Sequence, residues 1–340
     1  MSFKEIIEQW KRGPSDLVAL DITDTDVAAV RLKRGNDGVT LLAADFLPAV
    51  EMPDDNSSEP SQIEVAGPLG ARHAAITVEA EDAVVKLLSI PGQFDEEAEE
   101  KLMQSLGLED PESHRIAYKL VAEGHGRGET KLLAVALPEK TAAVAVKTLP
   151  VGLPVPYSLE VSGLAVFSAF LHGPCVDHLE EAVAAVDFSG NISSFAIFNK
   201  GVLSLIRRFD AGTNTILEKI QDNLGVDRET AQGIMADGAF DISQPVGEVM
   251  RPLVKQITVS RDFVERRENC KVSKLYVSGG LAPSRDALGE LKSSAGTDVE
   301  AWDPFKNLNV SADAVSEKVQ GKEWRFAAPV GAALAAFEER

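Results

Sequence analysis

Residues 182–209 read AVAAVDFSGNISSFAIFNKGVLSLIRRF, and the reading of this stretch decides the fold. An apolar run ends in Asp187, the polar turn Ser189-Gly190-Asn191 follows, and two further runs of β-forming residues complete the group. Apolar runs this short, punctuated by turn residues, predict buried strands joined by tight turns rather than helices. A carboxylate at the end of a buried strand, followed by small hydroxyl and glycine residues, can present a loop to a phosphate or a metal ion. The layout occurs once before, at residues 17–32 (LVALDITDTDVAAVRL), with Asp21 in the place of Asp187. Two such hairpins predict two similar halves facing one cleft.

The chain has 340 residues, long enough for two or three domain-sized cores. Its 34 Lys and Arg against 53 Asp and Glu leave a formal charge of −19. That excludes nucleic acid as the expected partner, because counterion release needs a basic surface. It equally disfavours direct adhesion to anionic lipid and suits a basic peptide. No window holds enough uninterrupted apolar residues to span a membrane, so no direct membrane insertion is expected. The opening MSFKEIIEQWKRG is too polar for a secretory signal. Its Phe3, Ile6, Ile7 and Trp10 share one helical face, read as a helix packed on its own domain. Cys175 and Cys270 do not make a disulfide framework, which fits a reducing cytoplasm.

Strands are expected at 17–22, 27–33, 39–47, 74–78 and 84–90, with a loop over 48–68. Phe94, Ala98, Leu102 and Leu106 are spaced by four, which predicts a helix. Strands at 115–122 and 131–137 flank a Gly-rich stretch, 123–129. A strand follows those glycines, not a helix, so the stretch reads as a hairpin tip and not a dinucleotide loop. A helix over 141–149 follows, and Pro150, Pro154 and Pro156 mark a boundary. After a helix near 161–171, His172-Gly-Pro-Cys175-Val-Asp-His178 has metal-like spacing but too few ligands, and reads as a loop before a buried strand. Gly212 opens a helix with Ile216, Ile220 and Leu224 on one face; a short helix covers 231–235. Val249, Leu253, Ile257 and Val264 line a longer one. A strand at 274–278 exits into Gly279-Gly280, where backbone can approach closely. A strand at 298–301 and a small Ala-rich helix at 329–337 close the chain.

This order of pieces resembles the actin/Hsp70/hexokinase ATPase fold, and within it the PilM family of type IV pilus assembly proteins, relatives of FtsA. The similarity is most specific at YVSGGLAPSRDALGEL (276–291) with the following Trp302-Asp303-Pro304-Phe305. It is also good at Gly225–Ala231 and over 133–171. The resemblance implies an α/β, two-lobed architecture: a first lobe of 1–66 plus 151–181, an inserted FtsA/PilM-type small α/β subdomain over 67–150, and a second lobe of 182–340 whose C-terminal helix returns to the first. It also implies an ATP and Mg²⁺ site between the halves. Carried over residue by residue, that site comprises Asp21, Thr23, Thr25, Asp187, Ser189, Gly190, Asn191, Gly212, Gln232, Gly279, Gly280 and Leu281, with Asp21 and Asp187 facing the metal. No catalytic residue is assigned.

The chain departs from the family's pattern at many of these positions. Thr23 stands for a glycine, Ala28 for a lysine, Ser189 and Thr213 for glycines, and Leu217 for a threonine. Gln232 and the residues after it lack the Glu and Lys of the adenosine motif, and Asp24 and Asp26 add negative charge beside the first turn. ATP binding is therefore expected to be weak or lost. The resemblance implies a cytoplasmic scaffold, peripheral to the inner membrane, that binds the cytoplasmic N-terminal peptide of a single-pass PilN-like membrane protein. A pilus platform ATPase is a further implied partner. A working actin-like ATPase and an FtsA-like filament former are the alternatives.

Overall fold

The structure is a computed structural model that describes residues 13–51, 53, 59–92, 94, 96–124, 128–237 and 241–338. The expected amphipathic helix at Phe3–Trp10 and the tip of the Gly-rich hairpin lie outside these residues. By its contacts the chain divides into two units: Met1–Glu79 with Ala143–Val176 and Trp302–Arg340, and Ala80–Ala142 with Asp177–Ala301.

The first unit is built on a six-stranded sheet. Strands β1 (Asp16–Ile22), β2 (Asp26–Gly35) and β3 (Gly38–Pro48) form an antiparallel meander. On the other side of β1, β4 (His73–Val78) and β8 (Val155–Val161) add in parallel, and the short β14 (Asn309–Val310) joins the outer edge of β3. The run Leu17–Ile22 is buried at every position, which is why it carries no polar alternation. Strand β4 falls within the span 67–150, yet its hydrogen bonds are to β1 and β8. Strand β8 runs where prolines suggested only a boundary. It lies at the sheet edge, where a proline's missing N–H is tolerated, and the ladder shifts register opposite Pro156.

Two helices, the apolar α3 (Ser162–His172) and the Ala-rich α8 (Ala327–Phe337), pack on each other, and α8 also lies against β1, β2 and β4. Their crossing is set by Gly331, where a Cβ would stand 1.7 Å from the Ala165 carbonyl oxygen. Only a residue without a side chain lets the two backbones meet there.

The second unit repeats the plan. Strands β9 (Ala182–Phe188), β10 (Ser193–Asn199) and β11 (Val202–Phe209) form an antiparallel meander, and β12 (Val272–Gly279) and β13 (Asp298–Ala301) add in parallel beside β9. The order β11-β10-β9-β12-β13 matches β3-β2-β1-β4-β8 strand for strand, so the two similar halves expected from the repeated Asp-turn hairpin are present. A separate three-stranded antiparallel sheet comprises β5 (Val84–Pro91), β7 (Glu129–Pro138) and β6 (His114–Ala122). Helix α1 (Glu96–Leu106) covers it through Leu102 and Leu106 against Ile90, Leu132 and Ala134, and α2 (Glu139–Lys147) follows β7.

The remaining helices of this unit are α4 (Thr213–Leu224), α5 (Arg228–Asp237), α6 (Ser243–Glu268) and α7 (Arg285–Ala295). Two sequence expectations need correction. Leu224 is 51% exposed instead of buried with Ile216 and Ile220, because α4 ends there at Gly225 in the left-handed region. In α6 the buried face runs through Val246, Met250, Leu253, Ile257 and Val264, while Val249 is half-buried. His172 and His178 are engaged within the protein, the first with the Ser168 carbonyl and the second with the Tyr276 hydroxyl at 2.8 Å.

The helix crossing gives a direct test. Gly331→Ala overpacks the contact and should cost about 1–3 kcal/mol, seen as a Tm lowered by about 2–4 °C for each kcal/mol. An unchanged Tm would show that α3 and α8 do not meet there.

Candidate functional site

Each half places its aspartate in the central strand, opposite a hydroxyl of the parallel neighbour. Asp21 is in register with Thr77 of β4, whose Oγ1 donates to Oδ1 at 2.6 Å. Ser162, at the start of α3, donates to the same oxygen at 2.7 Å. Asp187 is in register with Ser278 of β12, whose hydroxyl donates to Oδ1 at 2.8 Å, and Ser189 donates to Oδ2 at 2.7 Å. Asp187 is 4% exposed. Burial pushes its carboxyl above the ordinary range, against the pull of the two hydroxyls, and no cation forms an ion pair with it among the described residues.

The turn after Asp21 closes on itself. Thr23 donates from its amide to the Asp26 carbonyl at 3.1 Å and from its hydroxyl to the same oxygen at 2.8 Å. Thr25 and Asp24 are exposed, and Ala28 is buried opposite Asp21. The negative charge expected of Asp26 is not free. Arg325 holds both of its oxygens, at 2.9 and 2.8 Å, and stacks its guanidinium 4.7 Å from the Phe46 ring centre. Such a bidentate pair neutralises the carboxylate, which leaves Asp24 as the acidic side chain projecting from this turn.

The turn after Asp187 gathers most of the sequence-expected residues. The Thr213 and Asn214 amides, at the N-terminus of α4, donate to the Ser189 and Gly190 carbonyls at 2.9 and 2.8 Å. The Gly280 amide donates to Phe188 at 2.9 Å. These contacts need glycine: a Cβ on Gly212 would stand 2.4 Å from the Gly190 oxygen, and one on Gly279, at φ +79°, 2.3 Å from the Phe188 oxygen. The Thr213 side chain lies directly before Gly280, its Oγ1 2.7 Å from the position of a Cβ there. Leu281 is buried. Gln232 is half-buried on α5, with no hydrogen bond to the turn among the described residues.

Sequence reasoning missed the partners. Thr77, Ser162 and Ser278 hold the two carboxylates, and a hydroxyl opposite an aspartate becomes visible only once strand register is known. It also missed a cation at the second turn. Arg228 donates to Asn214 Oδ1 at 2.6 Å, and Asn214 donates to Asn191 Oδ1 at 2.7 Å.

Residues 166–337, half of the chain, match the family described as Type IV pilus assembly protein PilM. The chain belongs to that family. No curated protein matches it. Among solved structures, a PilM-PilN type IV pilus biogenesis complex is similar at a TM-score of 0.75 and 17% identity, over 96% of this chain and 100% of that one. The ethanolamine utilization protein EutJ from Carboxydothermus hydrogenoformans is similar at 0.46 and 14% identity, over 96% and 90% of the two chains. At that score it carries no weight here. The chain thus shares the fold of that PilM-PilN structure, in keeping with its duplicated sheets.

The state of Asp187 can be tested by pH. An acid whose folded pKa is raised holds more protons folded than unfolded. Stability is then lost as pH climbs from about 3.9, the ordinary aspartate value, through the raised folded value. Asp187→Asn removes this loss, so its Tm relative to the native protein should become more favourable as pH rises above about 4. A difference that moves the other way would mean the carboxylate is stabilised as the anion. Ser278→Ala leaves Oδ1 short of a donor and should cost about 1–3 kcal/mol, read by chemical denaturation.

Proposed function

We propose that this protein is a cytoplasmic PilM-like scaffold of a type IV pilus or type II secretion-like inner-membrane platform, with a nucleotide site that has largely decayed. It binds the cytoplasmic N-terminal peptide of a single-pass PilN-like protein, near the inserted 67–150 segment, and a platform ATPase is a further partner. The observation that carries the reading is family membership joined to likeness, over nearly the whole chain, to a protein solved as a PilM-PilN complex. The charge of −19 supports it, since the cytoplasmic flank of a membrane helix is typically basic. No helix among the described residues is long and apolar enough to cross a membrane, consistent with attachment through a partner.

The residues do not fit Mg²⁺-ATP. A phosphate needs free backbone amides or a cation. The Thr213, Asn214 and Gly280 amides are already donated within the chain, and Thr213 fills the space before Gly280. Each Asp187 oxygen accepts a hydrogen bond from a serine, and Ala28 stands where the family has a lysine. Arg228 is tied to Asn214.

Calorimetry tests the two parts separately. A synthetic N-terminal peptide of the PilN-like protein encoded nearby should bind with micromolar affinity, and no binding at low salt would overturn the scaffold reading. Mg²⁺-ATP should show no micromolar binding. Tight binding, with phosphate release abolished in Asp187→Asn, would instead make the protein a working ATPase.

A further inference from the structure

Helix α6 buries one face completely, yet its opposite face carries two large apolar residues one turn apart: Val259 is 60% and Phe263 52% exposed. They line a shallow groove with Asp262, Arg266 and Arg267. Exposed apolar pairs on a helix are ordinary singly but informative when charges frame them. Lys255 precedes the pair by one turn, and Arg266 and Arg267 follow it by one. The acidic side chains of this stretch are already paired: Asp262 with Arg261 at 2.6 Å, and Glu268 with Lys131 at 3.1 Å. Arg267 lies 6.0 Å from the Phe263 ring centre and shares its charge with Glu129 at 3.5 Å. Lys255 and Arg266 form no ion pair among the described residues. A chain of net charge −19 thus displays an apolar pair bracketed by cations.

We infer that this face of α6 docks an acidic amphipathic helix of a partner protein, with two apolar residues at i and i+4 seated on Val259 and Phe263 and carboxylates reaching Lys255 and Arg266. Helix-on-helix docking reads such anchors, and charge at the rim sets partner choice. A second copy of this chain is disfavoured by the same pattern. Two α6 helices paired antiparallel about position 261 would set Val259 on Phe263, but also Lys255 against Arg267. A basic peptide of the PilN type would be repelled here, so the inference does not rest on the function proposed above.

The probe is a synthetic helical peptide of about 18 residues, with Leu at i and i+4, Glu one turn to either side and Ala and Gln elsewhere. Titrated by fluorescence into the full-length protein at low salt, it should bind. Binding should weaken about tenfold in Phe263→Ser and in the double variant Lys255→Glu, Arg266→Glu, and should fall with added salt. Both variants alter solvent-facing positions, and circular dichroism checks that they fold. Absence of binding, equal binding by the variants, or equal binding of a peptide with Lys in place of Glu would overturn the inference. So would self-association of the native protein, in sedimentation, that Phe263→Ser abolishes.

Discussion

A carboxylate in the middle of an apolar sheet has to be hydrogen-bonded, because leaving it unpaired costs more than most single contacts return. The protein meets this constraint twice in the same way, with Asp21 against Thr77 and Asp187 against Ser278 on adjacent parallel strands. Side chains alternate between sheet faces, so a slip of one residue would turn the hydroxyl away and strand the acid. Strand register and carboxylate satisfaction are therefore one requirement in each half. Ser162 and Ser189 then fix where α3 begins and how the second turn folds back.

The second turn shows how one set of local features can serve opposite ends. Glycines, a short turn and a helix N-terminus are the parts from which phosphate loops are made. Here those parts bring the chain against itself: Gly212 onto the Ser189-Gly190 carbonyls, Gly279 onto Phe188, and Thr213 before Gly280. What decides between a loop open to an anion and one closed on its own carbonyls is whether its amides are already donated.

Charge follows a similar logic. Several cations sit where a specific acid or ring meets them. Arg325 neutralises Asp26 and covers Phe46, while Arg228 braces the Asn214–Asn191 contact. The α6 face differs in that Lys255 and Arg266 flank an exposed apolar pair and pair with no acid among the described residues, a pattern suited to association rather than to folding.

The sequence by itself determined most of the strands, since short apolar runs such as Leu17–Leu20 and Ala182–Val186, bounded by turn residues, read as buried strands. It also determined the duplicated plan, through two aspartates each followed by a polar turn, and the glycines of close approach. It hid two strands: β14, which is only two residues long, and β8, whose prolines are compatible with a sheet edge and with a linker alike. The tertiary structure alone decided what the aspartates touch. Thr77, Ser162, Ser278 and Arg325 lie 56, 141, 91 and 299 residues from the acids they bond. Such pairings are products of register and of helix placement, which local residue patterns do not encode, and through them Asp26 proved paired and Asp187 enclosed.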